Sequence, residues 1–364
     1  MFTNFNQWYG CDNKKYYNLW QAYDEHHDDL VNNIKHIEYN IDGELLYALK
    51  SIQRPNTDPK YIRSLMLNQL KLLRKKHKKL RLLYSGGTDS HTILKLAMDN
   101  DIYIDETITH LVSFVGTPKL NIEYLNGIKF AKSHSPHSIG KVTVVEPHID
   151  DMRYYFDDNW YMDLNVVRGC PFWLRGQYIH RYMPEPDDGT ITLTGMEKPQ
   201  IYYDGKQLYW CILDVPMSEY MATDSIYHFF CDKNNPELIA SQLFSFVDTC
   251  KKFKVGHNTI DSFDADTRLK CLRNLGYYST GKTYLDKALI GKKNFNKSIK
   301  NRLWLKELFQ LGHKDLLNLI YETHGKIYEK YKDIPYGVEY ENGFVNSVGK
   351  FSEKIAINQD ALGT

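Results

Sequence analysis

Leu80–Ser90 reads LRLLYSGGTDS, and HTILKLAMDN follows without a break. Leu80, Leu82, Leu83 and Tyr84 form an apolar run long enough for one buried strand. Ser85-Gly86-Gly87-Thr88-Asp89-Ser90 interrupts it, and Ile93, Leu94, Ala97 and Met98 then recur at helical spacing. A strand, a glycine turn and a helix N-terminus in that order build an anion site. Gly86 and Gly87 tolerate positive φ and let a ligand approach the backbone closely. The amides of Thr88, Asp89 and Ser90 have no partner inside the helix, and the helix dipole favours negative charge there. Ser85 and Ser90 bring hydroxyl donors. Asp89 is acidic where a phosphate would sit, so its expected task is to hold a magnesium ion that the phosphates share. An ordinary Gly-Gly turn with Asp89 as helix cap explains fewer of these residues, since a cap needs neither both glycines nor both serines.

At these positions the chain resembles the PP-loop ATP pyrophosphatases, whose signature is S-G-G-x-D-S after the first strand. The resemblance implies an α/β fold of the adenine nucleotide alpha-hydrolase-like kind: a doubly wound, mainly parallel five-stranded sheet, here with helical N- and C-terminal additions. It also implies ATP and Mg2+ as the bound groups. Thr107–Gly116 (TITHLVSFVG) reads as a second strand, and its S-F-V-G end is similar to the adenine-binding strand end of asparagine synthetases. By that likeness the backbone of Val115 and Gly116 binds the base. Thr190–Gly195 (TITLTG) reads as a fourth strand facing the PP-loop. Thr194 and Gly195 match the start of the asparagine synthetase loop S-G-E-G-x-D-E. Met196, Pro199 and Gln200 then stand where that loop has acids, leaving Glu197 and Lys198 as the charged pair. Asparagine synthesis itself is therefore not expected, and neither is an attached glutaminase domain. Glu197 is the candidate general base for an incoming amine, with Lys198 as a charge clamp. An exposed loop pair is the ordinary alternative.

The length of 364 residues suits two domains or one with large appendages, and 42% hydrophobic residues are ample for a core. A net charge of +1 exerts no global pull on nucleic acid or membrane. No apolar run has the length of a membrane span. The six cysteines are scattered without a C-x-x-C pair, which argues against a Cys-based metal cluster and for a cytoplasmic setting. Abundant Lys, Asn, Tyr and Asp are usual in AT-rich genomes, many virus-encoded proteins among them.

The chain divides into a helical accessory segment (1–59), a PP-loop nucleotide-binding α/β domain (60–215) and a mainly helical C-terminal region (216–364). In the first, aromatics such as Trp8, Tyr16, Trp20 and Tyr23 recur at loosely helical spacing. His26-His27-Asp28-Asp29 and His134-Ser135-Pro136-His137 resemble metal motifs by eye, but neighbouring helical residues diverge and Pro136 breaks any helix. Tyr61–Lys78 reads as an amphipathic helix ending in the basic run Arg74–Lys79. That run is either a soluble helix end or a steering patch for polyphosphate or RNA beside the adjacent loop. Leu120–Lys132 and Pro236–Phe253 read as helices, Val142–Val145 as a third strand, and Tyr202–Trp210 as a hairpin.

Gly276–Thr283 (GYYSTGKT) satisfies the Walker A expression. The helical reading of the residues before it opposes that context. A supporting role is the alternative, with Lys282, Lys292 or Lys293 reaching the cleft to neutralise pyrophosphate.

Three functions remain open. The first is a ligase or modification enzyme that cleaves ATP to AMP and pyrophosphate and activates a substrate oxygen for attack by an amine. Its acceptor would be a small molecule or a nucleic-acid base, with a separate partner able to supply the amine. The second is a nucleotide-binding module whose catalysis is weakened. The third is a sulfonucleotide reductase relative, disfavoured because Cys271 is the last cysteine and such enzymes need one on a C-terminal segment.

Overall fold

The computed structural model describes residues 7–52, 54–111, 118–146, 189–195, 199–203, 208–212, 225–253, 265–278, 305–306, 308–341, 344–347 and 353–356. The chain begins with strands β1 (Gln7–Cys11) and β2 (Lys14–Tyr16), short helices α1 (Leu19–Glu25) and α2 (His27–Val31), strand β3 (Glu38–Ile41) and helix α3 (Gly43–Ser51). Order β2-β1-β3 makes a three-stranded antiparallel sheet. The helical reading of this segment is thus corrected. Asp12 and Asn13 both have positive φ, the backbone of a two-residue hairpin turn, and this pairs β1 with β2. Tyr9, Tyr16 and Tyr39 are buried from strands, whereas Trp20 and Tyr23 are buried from α1. Both of these last two pack on Tyr331 of a later helix, with ring centroids 5.0 and 5.7 Å from its ring.

Helix α4 (Pro59–Lys76) starts with Pro at its first turn and Asp58 capping the Lys60 amide. It buries Ile62, Met66, Leu70 and Leu73, each worth roughly 2 kcal/mol removed from water. Strand β4 (Lys79–Leu83), helix α5 (Thr88–Met98), strand β5 (Ile104–His110), helix α6 (Pro118–Ser133) and strand β6 (Ile139–Val145) follow as βαβ units. Strand β7 (Thr190–Thr194), strands β8 (Pro199–Tyr203) and β9 (Leu208–Ile212), and strand β10 (Ile226–His228) come next. The main sheet runs β10-β7-β4-β5-β6, with every neighbouring pair parallel. This is a five-stranded parallel α/β sheet, as the sequence reading expected. Its fifth strand lies beyond residue 215, inside the stretch read as helical, so that boundary moves.

Helices α7 (Pro236–Phe253), α8 (Ala265–Asn274) and α9 (Lys314–Tyr331) then carry the C-terminal part. Among its described residues there are strands as well as helices. Strands β11 (Val338–Glu341) and β12 (Phe344–Ser347) form a hairpin, and β13 (Ile355–Ala356) adds to the β8–β9 hairpin.

Register places Arg81, Glu106, Thr192 and Ile226 in one row across the sheet. Leu80 and Leu82 of β4 therefore share one face. On the other, Arg81 Nε lies 2.9 Å from Glu106, both well buried, and Thr143 Oγ1 donates to Glu106 at 2.6 Å. Burial opposes the Glu106 charge, but Thr143 and Arg81 outweigh it and hold its carboxyl below the usual range.

Candidate functional site

The switch in strand order falls between β4 and β7, where crossovers leave in opposite directions and ligands of open α/β sheets bind. The loops after these two strands, Ser85–Gly87 and Gly195, meet there. The sequence reading set the loops after β4, β5 and β7 around one cleft; β5 does end on the same edge as β4, but Val115 and Gly116 lie outside the described residues.

β4 is prolonged past Leu83 by two bonds. Tyr84 N donates to Ile108 O at 2.8 Å, and Thr109 Oγ1 donates to Tyr84 O at 2.6 Å. Gly86 then turns the chain with φ +78°, a conformation that side chains resist. Gly87 is the N-cap of α5 and makes no side-chain cap bond, so Asp89 is not the cap. Thr88, Asp89 and Ser90 occupy the first helical turn, where amides lack helical acceptors.

The serine hydroxyls brace the loop. Ser90 Oγ donates to Gly87 O at 3.3 Å and accepts Ser85 N at 3.2 Å, and it is buried. Ser85 Oγ accepts Gly87 N at 3.2 Å and lies 3.2 Å from Ser90 Oγ. Ser90, expected to face a ligand, is thereby committed to loop shape.

Two glycines press on this loop from elsewhere. A Cβ on Gly195 would lie 3.0 Å from Ser90 N and 3.1 Å from Asp89 Cβ, so the end of β7 abuts the first turn of α5. Thr194 is buried and its carbonyl accepts Phe229 N at 3.0 Å. A Cβ on Gly127 of α6 would lie 2.7 Å from Gly86 Cα and 3.0 Å from Gly86 N. Sequence reasoning missed Gly127, because a lone glycine in a helix signals only a propensity cost.

On the expectation from the sequence that this loop binds ATP, Gly127→Ala should weaken that binding about tenfold. Overpacking costs about 1–3 kcal/mol and displaces backbone, whereas helix propensity returns only about 1 kcal/mol. Calorimetric titration with ATP beside a melting curve checks this, and unchanged affinity would reject it.

Behind the loop, Tyr84 OH pairs with His91 Nδ1 at 2.9 Å. Burial, with Lys95 and His134 adding to it, pushes His91 down to about 4, so the imidazole is neutral at physiological pH. His91 also meets the Phe130 ring of α6 edge-on at 4.9 Å, fastening α6 to α5 beside the loop.

Glu197, Lys198, Lys282, Lys292 and Lys293 lie outside the described residues. Of the Walker-like stretch, Gly276–Tyr278 is described, and it follows helix α8, not a strand. Gly276 has φ +80°, its N–H donates to Arg273 O, and Tyr277 N donates to Leu272 O. The first glycine of that expression is thus spent ending a helix in a Schellman motif. The basic run at Arg74–Lys79 sits at the opposite end of β4 from the loop, roughly 17 Å away for five residues. Arg74 is tied to Asp105 and to the carbonyls of His77 and Lys78. The run therefore does not lie beside the loop.

Among the described residues no group of His, Cys, Asp or Glu gathers to hold a metal by itself, and no helix is long and apolar enough to cross a membrane. No protein-family model and no curated protein matches the chain. The site therefore has to be read from its own geometry.

Proposed function

We propose that this protein binds Mg-ATP at the β4–α5 loop and cleaves it to AMP and pyrophosphate, activating an acceptor oxygen for attack by an amine. The observation that carries this reading is the meeting of the glycine loop, the first turn of α5 and Gly195 at the switch in strand order. Positive φ at Gly86 and the amides of Thr88, Asp89 and Ser90 suit polyphosphate oxygens.

Asp89 fits magnesium of the shared kind. It is one partly exposed carboxylate, and this ion is commonly held by one or two carboxylates together with substrate phosphates. Bound there, the ion would offset charge growing on the departing pyrophosphate. The chain's own share is to orient the phosphates through loop amides and to keep α5 in place through the Ser85–Ser90 brace. Val115 and Gly116 for the base, and Glu197 and Lys198 beside the amine, complete the proposal. Cys271 is fully buried in α8 and so lends nothing to a reductase.

The test follows α- and γ-labelled ATP with magnesium and candidate acceptors. Labelled AMP and pyrophosphate are expected. ADP and phosphate would reject chemistry at the α-phosphorus, and tight binding without turnover would favour a nucleotide-binding module. Asp89→Asn should bind Mg-ATP about tenfold more weakly, the loss of one charge-assisted contact, while metal-free AMP affinity persists. Equal magnesium dependence in the variant would remove Asp89 from the metal site.

A further inference from the structure

Residues Gly276–Tyr278 come from far along the chain to join two helices. From α4, Arg63 Nε donates to Gly276 O at 2.9 Å, and its guanidinium lies 4.7 Å over the Tyr278 ring. On the α5 side, Tyr278 N donates to Thr92 Oγ1 at 3.1 Å. Thr92 is fully buried, and its Oγ1 donates in turn to Thr88 O at 2.8 Å.

A threonine that bonds back four residues is commonplace in helices. This one differs in taking a second bond from outside its own helix. The Tyr278 amide can only donate and the Thr88 carbonyl can only accept, so the hydroxyl proton is fixed on Thr88 O. The Thr88 carbonyl shares a planar, resonance-coupled peptide unit with the Asp89 amide. That amide belongs to the first turn of α5, where N–H groups find no acceptor within the helix. Each bond in such a chain polarises the next. Tyr278 N–H makes the Thr92 hydroxyl a better donor, the hydroxyl draws electron density toward Thr88 O, and Asp89 N–H gains donor strength.

We infer that Thr92 is a positioning residue for the anion loop, locking the Thr88–Asp89 peptide in place and polarising it toward a phosphate at the first turn of α5. The inference rests on the proposed Mg-ATP site and extends its support to α4 and to Gly276–Tyr278.

The experiment is calorimetry on the full chain with ATP plus magnesium, each variant accompanied by a melting curve. Thr92→Val keeps the side chain's shape and removes the hydroxyl. Its Mg-ATP affinity should fall about fivefold, the scale of one hydrogen bond between neutral groups. Thr92→Ser keeps the hydroxyl and loses the methyl, so it should bind within about twofold of the parent even where its melting temperature drops. A purely structural role would tie affinity to stability in both variants. Arg63→Gln frees Gly276–Tyr278 from α4 and leaves the Thr92 hydroxyl in place. It should shift affinity in the same direction, add almost nothing on a Thr92→Val background, and serve alone should Thr92→Val fail to fold. Parental affinity in a folded Thr92→Val, or an equal loss in Thr92→Ser, would overturn the inference alone. Parental affinity in Arg63→Gln would do the same where Thr92→Val does not fold. A parent without magnesium-dependent ATP affinity would overturn the proposed function, and the inference with it.

Discussion

Gly86→Val should reduce ATP affinity about a hundredfold or more, the largest binding defect expected from any single change in the loop. Gly86 sits at φ +78°, where a β-branched residue is an outlier. Holding a side chain there costs about 1–3 kcal/mol, and the upper end is about two decades in affinity. The alternative, relaxing the turn, is closed by the neighbours. Gly127 leaves no room behind Gly86, and the Ser85–Ser90 brace fixes the loop on its other side. A relaxed turn would also swing the amides of the first turn of α5 away from a common point. Titration with ATP and magnesium, beside a melting curve that confirms a folded chain, measures the effect. Parental affinity in a folded Gly86→Val would place the nucleotide elsewhere.

Acid should destabilise the fold well before carboxylates titrate. His324 on α9 is fully buried, and its Nδ1 accepts the Val345 amide at 3.2 Å. An accepting ring nitrogen carries no proton, and burial pushes the group down to about 3. In the unfolded chain it titrates at the ordinary value of 6.5. Between those two values the unfolded state binds the extra proton. Stability is therefore complete above about pH 6.5 and falls as pH drops, by about 1.4 kcal/mol per pH unit at most. His91, down at about 4, acts with the same sign over a similar window. Urea unfolding at about pH 7 and about pH 5 should differ by about 2 kcal/mol or more. His324→Asn supplies an acceptor that does not titrate, so it should lower stability at neutral pH yet flatten the pH slope. An unchanged slope in this variant would acquit His324.

The strand, glycine turn and helix around Ser85–Ser90 were legible because three signals meet there: an apolar run, a glycine pair and a helical stripe. α7 was legible to the residue, since Pro236 opens it and Leu238, Ile239, Leu243, Phe246 and Val247 mark its apolar face. β10 was not, because three residues cannot display a period of two. β2 is equally short and β1 only five residues long, although Asp12-Asn13 carried the turn signal that would have exposed them. At the site, local chemistry gave up the loop but not its supports. Gly127 touches it only through tertiary packing, and no spacing along the chain reports that, whereas Gly195 was reached through the likeness of its loop to one that faces a PP-loop. Arg81 shows the same limit: one charge inside an apolar run announces a second, polar face only once Glu106 is paired beside it.

The position of β7 has a consequence for how the molecule comes into being. β4, β5 and β6 are joined by successive crossovers and need only nearby chain, whereas β7 must return from beyond them to lie on the far side of β4. Such distant pairings carry the larger loop-closure cost and set the pace of folding. Until β7 docks, β4 is an outer strand with unpaired amides and carbonyls, the kind of edge that invites other chains. The same docking brings Gly195 onto Ser90 and Asp89. Loss of that adhesive edge and gain of a complete cleft are thus one event, so an immature chain that is still prone to associate has no finished pocket.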